Sequence, residues 1–330
     1  MAVDTETEGL GFYDPAFCAT VAWRNSDGVQ SHYFELSDSA ARKYLKAVLG
    51  SPILIFHNAK FDLQKLLMAE LISRESLSGS TIEDTQTLAY LVNEHWDLHL
   101  KPLAKNLLGL ETKESAAVAK ARRAVKKELG LSSVKEVGYH QLPRPVIYPY
   151  ALKDAEFTLL LWEKLRPIVA ERGLDDLYAR ERELALVVLD MESRGLAVDL
   201  DYCEAEIKRL NGSILEREFR VIDLTGKKVF NPVKQGQKTP EGYINLGSWQ
   251  QLLAEFKERG VDLDATNKDA LSRVSDELAE LIIGLRNDKK LRDTYFRGIL
   301  KEQRNGIIHP WFNIARVRGG RFSSSAAENG

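Results

Sequence analysis

Apolar positions in the first half of the chain switch repeatedly between strand and helix periods. Two β-rich runs, residues 17–24 (FCATVAWR) and 29–36 (VQSHYFEL), flank Asn25, Ser26, Asp27 and Gly28, which predicts a hairpin. Ser37 or Asp38 then offers an N-cap to a helix whose apolar positions are Tyr44, Leu45, Val48 and Leu49. Residues 52–56 (PILIF) form a short continuous apolar run, the pattern of a buried central strand. After His57 to Asp62, the spacing of Leu63, Leu66, Leu67 and Leu71 predicts another helix. A basic helical stretch covers 113–137, with Lys120, Arg122, Arg123, Lys126 and Lys127. Pro143, Pro145 and Pro149 are expected to interrupt helix there. From Tyr150 a strong amphipathic pattern carries Phe157, Leu160, Leu161 and Leu165 to about Arg172.

Beyond about residue 179 the period is helical almost throughout, over 180–195, 201–222, 247–259 and 269–304, with strand-like material only from Ile307 to Val317. A boundary near Gly173 to Leu177 follows. The expected organisation is an α/β domain over 1–178, a mostly helical region over 179–305, and a short third piece over 306–330.

Composition narrows the picture less. A hydrophobic fraction of 44% and a charged fraction of 28% are ordinary for a globular protein. Two cysteines, Cys18 and Cys203, are too few and too far apart for a disulfide framework or a zinc site, so reduced thiols in a cytoplasmic protein are expected. No apolar run approaches a membrane span, and the acidic N-terminus is no secretion signal.

The acids carry the chemistry. Asp4 and Glu6 are alternate residues of a strand-like segment, so their carboxylates share a side. Asp62 lies just past a buried strand, where α/β proteins usually build sites. Tyr150 and Asp154 are four apart on a predicted helix and share its face. Taken singly, these are a solvated acidic turn, a helix cap and a surface pair. Taken together, they place acids on three elements. Carboxylates converging this way need cations, and oxygen ligands suit Mg²⁺ or Mn²⁺. Two such ions about 4 Å apart are a standard device for phosphodiester cleavage, and a tyrosine beside them can orient the attacking water.

Three segments bear a family resemblance: DTETEGL (4–10), HNAKFDLQKL (57–66) and YALKD (150–154). In order, spacing and flanking residues they resemble the exonuclease motifs of the DEDD superfamily, tyrosine subtype. That resemblance implies a ribonuclease H-like fold, a mixed sheet with flanking helices, and 3′-5′ exonuclease activity with two Mg²⁺ or Mn²⁺ ions. By the same resemblance, Asp4 bridges both ions, Glu6 and Asp154 ligate directly, and Asp62 acts through water. Tyr150 positions the nucleophile, and Asn58 lies near the substrate terminus. Glu83-Asp84-Thr85 and LKPLA (100–104) also resemble family segments between the second and third motifs.

The second half is similar to family A DNA polymerases of the phage type. LALVVLDMESRGLAV (184–198) resembles the opening of their polymerase region. The stretch from Asn231, with GSWQQLL (247–253), TNKDAL (266–271) and LRNDKKLRDTY (285–295), resembles their thumb. IHPWF (308–312) and GRFSS (320–324) resemble the start of the palm, with Gly319 where the family has threonine. The reading is therefore a proofreading exonuclease plus thumb-like region, with the palm cut short and the polymerase site absent. Between Arg286 and Arg321 there are ten basic residues (286, 289, 290, 292, 297, 301, 304, 316, 318, 321) against three acids (288, 293, 302), a local excess suited to a phosphate backbone. Lys289, Lys290, Arg297 and Arg321 are the candidate DNA contacts.

Expected partners are a single-stranded DNA 3′ end at the acids and duplex along the thumb. A separate palm-and-fingers chain or a processivity factor would complete the set, in the cytoplasm of a bacterium or a phage-infected host. An RNA-trimming exonuclease of the same superfamily would share the site but carry a small helical RNA-binding domain. A non-catalytic DNA-binding module would have a broken acidic set, whereas here the set is complete.

Overall fold

The computed structural model describes residues 1–232, 237–315 and 320–325. Arg316, Arg318 and Gly319 lie outside the described residues. The chain divides into two compact units, Met1–Gly195 with the described part of His309–Gly330, and Leu196–Ile308.

In the first unit, β1 (Ala2–Thr7), β2 (Ala16–Asn25), β3 (Gly28–Glu35), β4 (Ile53–Phe56) and β5 (Thr81–Asp84) form one sheet in the order β3-β2-β1-β4-β5. The sheet is mixed. β1 runs antiparallel to β2 and parallel to β4, and β4 is parallel to β5. The hairpin joins β2 to β3 in the register Asn25↔Gly28. The Asn25 side chain accepts from the Asp27 N–H at 2.9 Å, a local bond that stabilises the turn, and Gly28 supplies the positive φ of 113°.

The helices of this unit are α1 (Ser39–Val48), α2 (Ala59–Met68), α3 (Arg74–Ser78), α4 (Thr85–Val92), α5 (Leu100–Leu108), α6 (Lys113–Glu128), α7 (Arg144–Glu171) and α8 (Asp175–Arg194). Asp38 caps α1 by accepting from the N–H groups of Ala40 and Ala41. Strand alternation sorts the two faces of the sheet. Val3, Ala19, Val21, Leu54 and Phe56 bury one face with Leu45, Leu49, Leu63 and Leu66. Ala2, Ala22 and Ile55 bury the other with Ala155 and Leu159 of α7.

Two expectations need correction here. Pro145 and Pro149 do not interrupt helix: α7 starts at Arg144, with Pro143 as its N-cap and Pro149 inside. Pro145 sits in the first turn, where no N–H is needed. Pro149 removes one rung, and the burial of Ile147, Ala151 and Ala155 beside it offsets that loss. The basic helix ends at Glu128 rather than 137, where Gly130 takes a positive φ of 66°.

The compact division falls at Gly195 rather than near residue 178. The reason is that α8 is bound to the first unit: the Tyr178 hydroxyl accepts from the Asp84 N–H at 2.8 Å and donates to Glu83 at 3.2 Å. Arg182 pairs with Glu83 at 2.7 Å, and Leu189 is buried in the sheet's apolar cluster.

The second unit is mostly helical. Its two-residue strands are β6 (Leu196–Ala197), β7 (Lys228–Val229), β8 (Tyr243–Ile244) and β9 (Ile307–Ile308). Its helices are α9 (Leu200–Thr225), α10 (Trp249–Glu258), α11 (Lys268–Leu271), α12 (Glu277–Lys290) and α13 (Arg297–Glu302), the last two joined by a π-helical stretch, Leu291–Phe296. Ile214, Val221, Leu252, Phe256, Leu278 and Ile282 form its core. The helical pattern over 269–304 is divided among several helices, and Asp276 caps the start of α12 by accepting from the Leu278 N–H at 2.8 Å. Within the first unit, β10 (Trp311–Asn313) pairs with β11 (Ser323–Ser325). No helix among the described residues is long and apolar enough to cross a membrane.

Candidate active site

β1 is the middle strand of its sheet, and its alternation decides which acid goes where. Ala2 faces α7 and Val3 faces α2, so Asp4 and Glu6 share the α7 face. α7 is held on that face by Thr20, whose hydroxyl donates to the Ala151 carbonyl at 3.0 Å. Three residues further along α7 stands Asp154. The carboxylates of Asp4, Glu6 and Asp154 each place an oxygen within 4.8 Å of the others. Glu6 and Asp154 are buried, and Asp4 keeps partial exposure.

Asp62 stands apart from this trio. It sits in the first turn of α2, on the opposite face of β1. There its Oδ1 accepts from the Thr5 N–H at 2.8 Å and from the Thr5 hydroxyl at 2.7 Å. Thr5 is the odd-numbered neighbour between the two acids, so the same alternation that unites Asp4 with Glu6 assigns Asp62 to Thr5. Asn58 is the N-cap of α2 in a left-handed conformation, φ 68°. Asp84 secures that conformation by accepting from the N–H groups of Asn58 at 3.1 Å and Ala59 at 3.0 Å, and it caps α4 through Gln86 at 2.8 Å.

Tyr150 lies one turn before Asp154. Burial, then the negative charges of Glu6 and other neighbours including Asp4, hold its hydroxyl above the usual phenol range. The hydroxyl shares a hydrogen bond with Tyr139, whose ring meets it edge-on at 5.6 Å.

Lys101, on the first turn of α5, occupies the cluster, a placement the sequence did not signal beyond the LKPLA segment. Its Nζ pairs with Asp154, approaches Glu114 of α6 at 3.5 Å, and lies 4.3 Å from the Tyr150 ring centroid. Electrostatics agree with crowding. Burial raises the Asp4 carboxyl to about 7, against the pull of Lys101. Burial and then Asp4 raise Glu6 well above the carboxylate range. Burial and Asp4 also raise Asp62, which the Thr5 donors partly oppose. Burial lowers Lys101, which its acidic neighbours oppose. One ammonium does not fully offset four carboxylates drawn out of water. An all-oxygen donor set this closely spaced fits hard divalent cations.

The candidate DNA contacts are more heavily committed than their charge suggests. Lys289 bonds Glu218 at 2.9 Å and Asn231 at 3.0 Å, and Arg297 bonds Asp293 at 2.8 Å. Arg286 is turned inward, against the Thr266 carbonyl. Lys290 and Arg321 are exposed.

Residues 1–170 match the 3′-5′ exonuclease family of the family A DNA polymerases. The chain is 29% identical to a DNA polymerase of Vibrio phage phiVC8, over 96% of this chain and 51% of that protein. It is 29% identical to DNA polymerase I of Chloroflexus aurantiacus, over 82% of this chain and 27% of that protein. It thus spans about half the length of the phage relative. Among solved structures, it superimposes with a TM-score of 0.69, at 22% identity, on the polymerase domain of Pol1 from M. smegmatis in complex with primer-template DNA and a nucleotide, over 98% of this chain and 50% of that one. That likeness establishes the fold. With more than half of its residues matched and the acidic trio in place, this chain belongs to the 3′-5′ exonuclease family of the family A DNA polymerases.

Proposed function

We propose that the first unit removes nucleotides one at a time from the 3′ end of single-stranded or frayed DNA, as the proofreading half of a family A polymerase. The second unit then serves as a thumb that holds duplex. The observation that carries this reading is the convergence of Asp4, Glu6 and Asp154 from β1 and α7, with Tyr150 one turn away. Bound Mg²⁺ or Mn²⁺ ions would activate the attacking water and neutralise charge on the leaving oxygen. Asp4, Glu6 and Asp154 would hold them, with Asp62 fixed by Thr5 as the outer acid. The Tyr150 hydroxyl orients the water. The left-handed backbone at Asn58, secured by Asp84, shapes the entrance of α2 near the terminal nucleotide.

The test is release of mononucleotides from labelled single-stranded DNA and RNA by the intact chain with Mg²⁺ or Mn²⁺, with and without chelator. Digestion of DNA that stops in chelator is expected. Digestion of RNA alone would support the RNA-trimming alternative, and full activity in chelator would remove the metal-dependent reading. Tyr150→Phe should slow the reaction roughly 10- to 100-fold by loosening the nucleophile's orientation. Its metal affinity should stay at the wild-type value, because no ligand is lost.

A second expectation concerns duplex. If the basic side chains of the second unit meet phosphates, log affinity should fall linearly with log salt, by about 0.9 per phosphate contact. Reversing the charge of Lys289, Lys290 and Arg297 together should flatten that slope while short single strands are still cut. Lys290→Glu alone isolates the effect from the ion pairs that Lys289 and Arg297 make inside the unit. An unchanged salt slope in the triple variant would remove these residues from the duplex path.

A further inference from the structure

We infer that Lys101 is a resident counter-ion of the acid cluster, one that yields to divalent cations by moving to Glu114 and so sets the metal affinity of the site. This inference rests on the metal-dependent reading above. The geometry supplies both the occupied position and the destination. The Lys101 ammonium is paired with Asp154, one of the three converging carboxylates, so an incoming cation and the ammonium compete for the same acid. Two cations there would repel at short range in a site sheltered from water.

Glu114 is close by, with its Oε1 at 3.5 Å from Lys101 Nζ, yet it is not among the three carboxylates that converge. Lys101 Nζ, Asp154 Oδ1 and Glu114 Oε1 are all shielded from solvent. A buried charge without a partner is costly, so the ammonium must be held by one acid or the other. The rings of Tyr150 and Phe157, at 4.3 Å and 5.1 Å from Nζ, offer faces that favour a cation. The lysine's flexible four-carbon stem permits the short move while Leu103 and Ala104 keep α5 anchored in the core. Glu114 therefore has a role distinct from that of a ligand: it receives the displaced charge.

The two side chains should act on metal binding with opposite sign. Lys101→Met keeps the apolar stem against the rings and removes the competitor. It should tighten Mn²⁺ binding about tenfold, the change that corresponds to roughly 1.4 kcal/mol. Glu114→Gln removes the destination and should weaken Mn²⁺ binding severalfold. In the Lys101→Met background, Glu114→Gln should have no effect, because no displaced charge remains to be received.

The measurement is calorimetric titration of Mn²⁺ into the intact chain for the wild type, both single variants and the double variant, with the Mn²⁺-induced rise in melting temperature as a second readout. Should Lys101→Met fail to fold, Lys101→Gln carries the same expectation. Equal or weaker Mn²⁺ binding on loss of the lysine overturns the inference. So does a Glu114→Gln loss that persists undiminished in the Lys101→Met background, because Glu114 would then act directly on the metal. A wild-type chain that binds no Mn²⁺ overturns the proposed function as well, which separates the two failures.

Discussion

Asp4→Ala leaves the protein folded and its 3′ exonuclease activity lower by about 10³-fold or more. The loss follows from the position of Asp4 on the middle strand, where it is the partly exposed member of the three converging carboxylates. On the proposed function, removing it would take away an oxygen ligand from a site whose bound ions would supply several kcal/mol of charge stabilisation in the transition state. Folding should survive, because burial already penalises the Asp4 carboxylate and its loss relieves repulsion on Glu6 and Asp62. Asp154→Ala should be as damaging to activity. Asp62→Ala should cost less, roughly 10- to 100-fold, because Asp62 is turned toward Thr5 and stands outside the trio. The check is single-turnover digestion of labelled single-stranded DNA by the three variants, with circular dichroism to confirm folding. Wild-type rates in Asp4→Ala, or an Asp62→Ala defect deeper than that of Asp4→Ala, would contradict the assignment.

Lys60→Met should destabilise the first unit by about 3–5 kcal/mol, the usual effect of leaving a buried charge without its partner. Lys60 lies two residues before Asp62, and its side chain is 5% exposed. Its Nζ pairs with Glu192 of α8, whose side chain is 2% exposed, and donates to the Phe312 carbonyl at 2.7 Å. Glu192 in turn accepts from the Phe312 N–H at 2.7 Å. The pair thus ties α2, α8 and β10 within one unit. Burial lowers the Lys60 pKa and raises that of Glu192, and in each case the partner's charge opposes the shift. Replacing both, as Lys60→Met with Glu192→Leu, should recover a large part of the loss, since no orphan charge remains. Urea unfolding followed by tryptophan fluorescence suits the test, because Trp311 lies with its ring centroid 4.0 Å from Lys60 Nζ. A Lys60→Met midpoint equal to the wild type, or a double variant no better than the single, would show that the pair contributes little.

The motif HNAKFDLQKL announced Asp62 and Asn58 but was silent on Lys60, whose partner lies 132 residues away. The same gap explains Lys101. A lysine in LKPLA has no local signature of where it points, and only the approach of α5 to α7 brings it to Asp154. The pairing of the basic run after Arg286 is hidden in the sequence for a related reason. A count of charges ignores pairing, and in the structure Lys289 pairs with Glu218 and Arg297 with Asp293. Proline's cost in a helix likewise depends on its position and on what the same face buries, which is why Pro149 is accommodated inside α7.

Short-range physics is legible in one dimension, and that is what the chain's order of residues settled alone. Turn chemistry at Asn25 to Gly28, the cap at Asp38, and alternation on β1 depend on neighbours a few residues apart, and each predicts its element without knowledge of the fold. The order and spacing of the acidic motifs, together with Tyr150 one turn before Asp154, pointed to the family for the same reason. The tertiary structure decided everything that depends on which elements meet. It placed Asp62 on the Thr5 side of β1, kept α8 with the first unit as far as Gly195, put the half-buried Lys101 beside the acids, and buried Lys60 against Glu192. Buried charges are settled by partners distant along the chain, because desolvation penalises them until a specific opposite charge arrives, and no local pattern records that arrival.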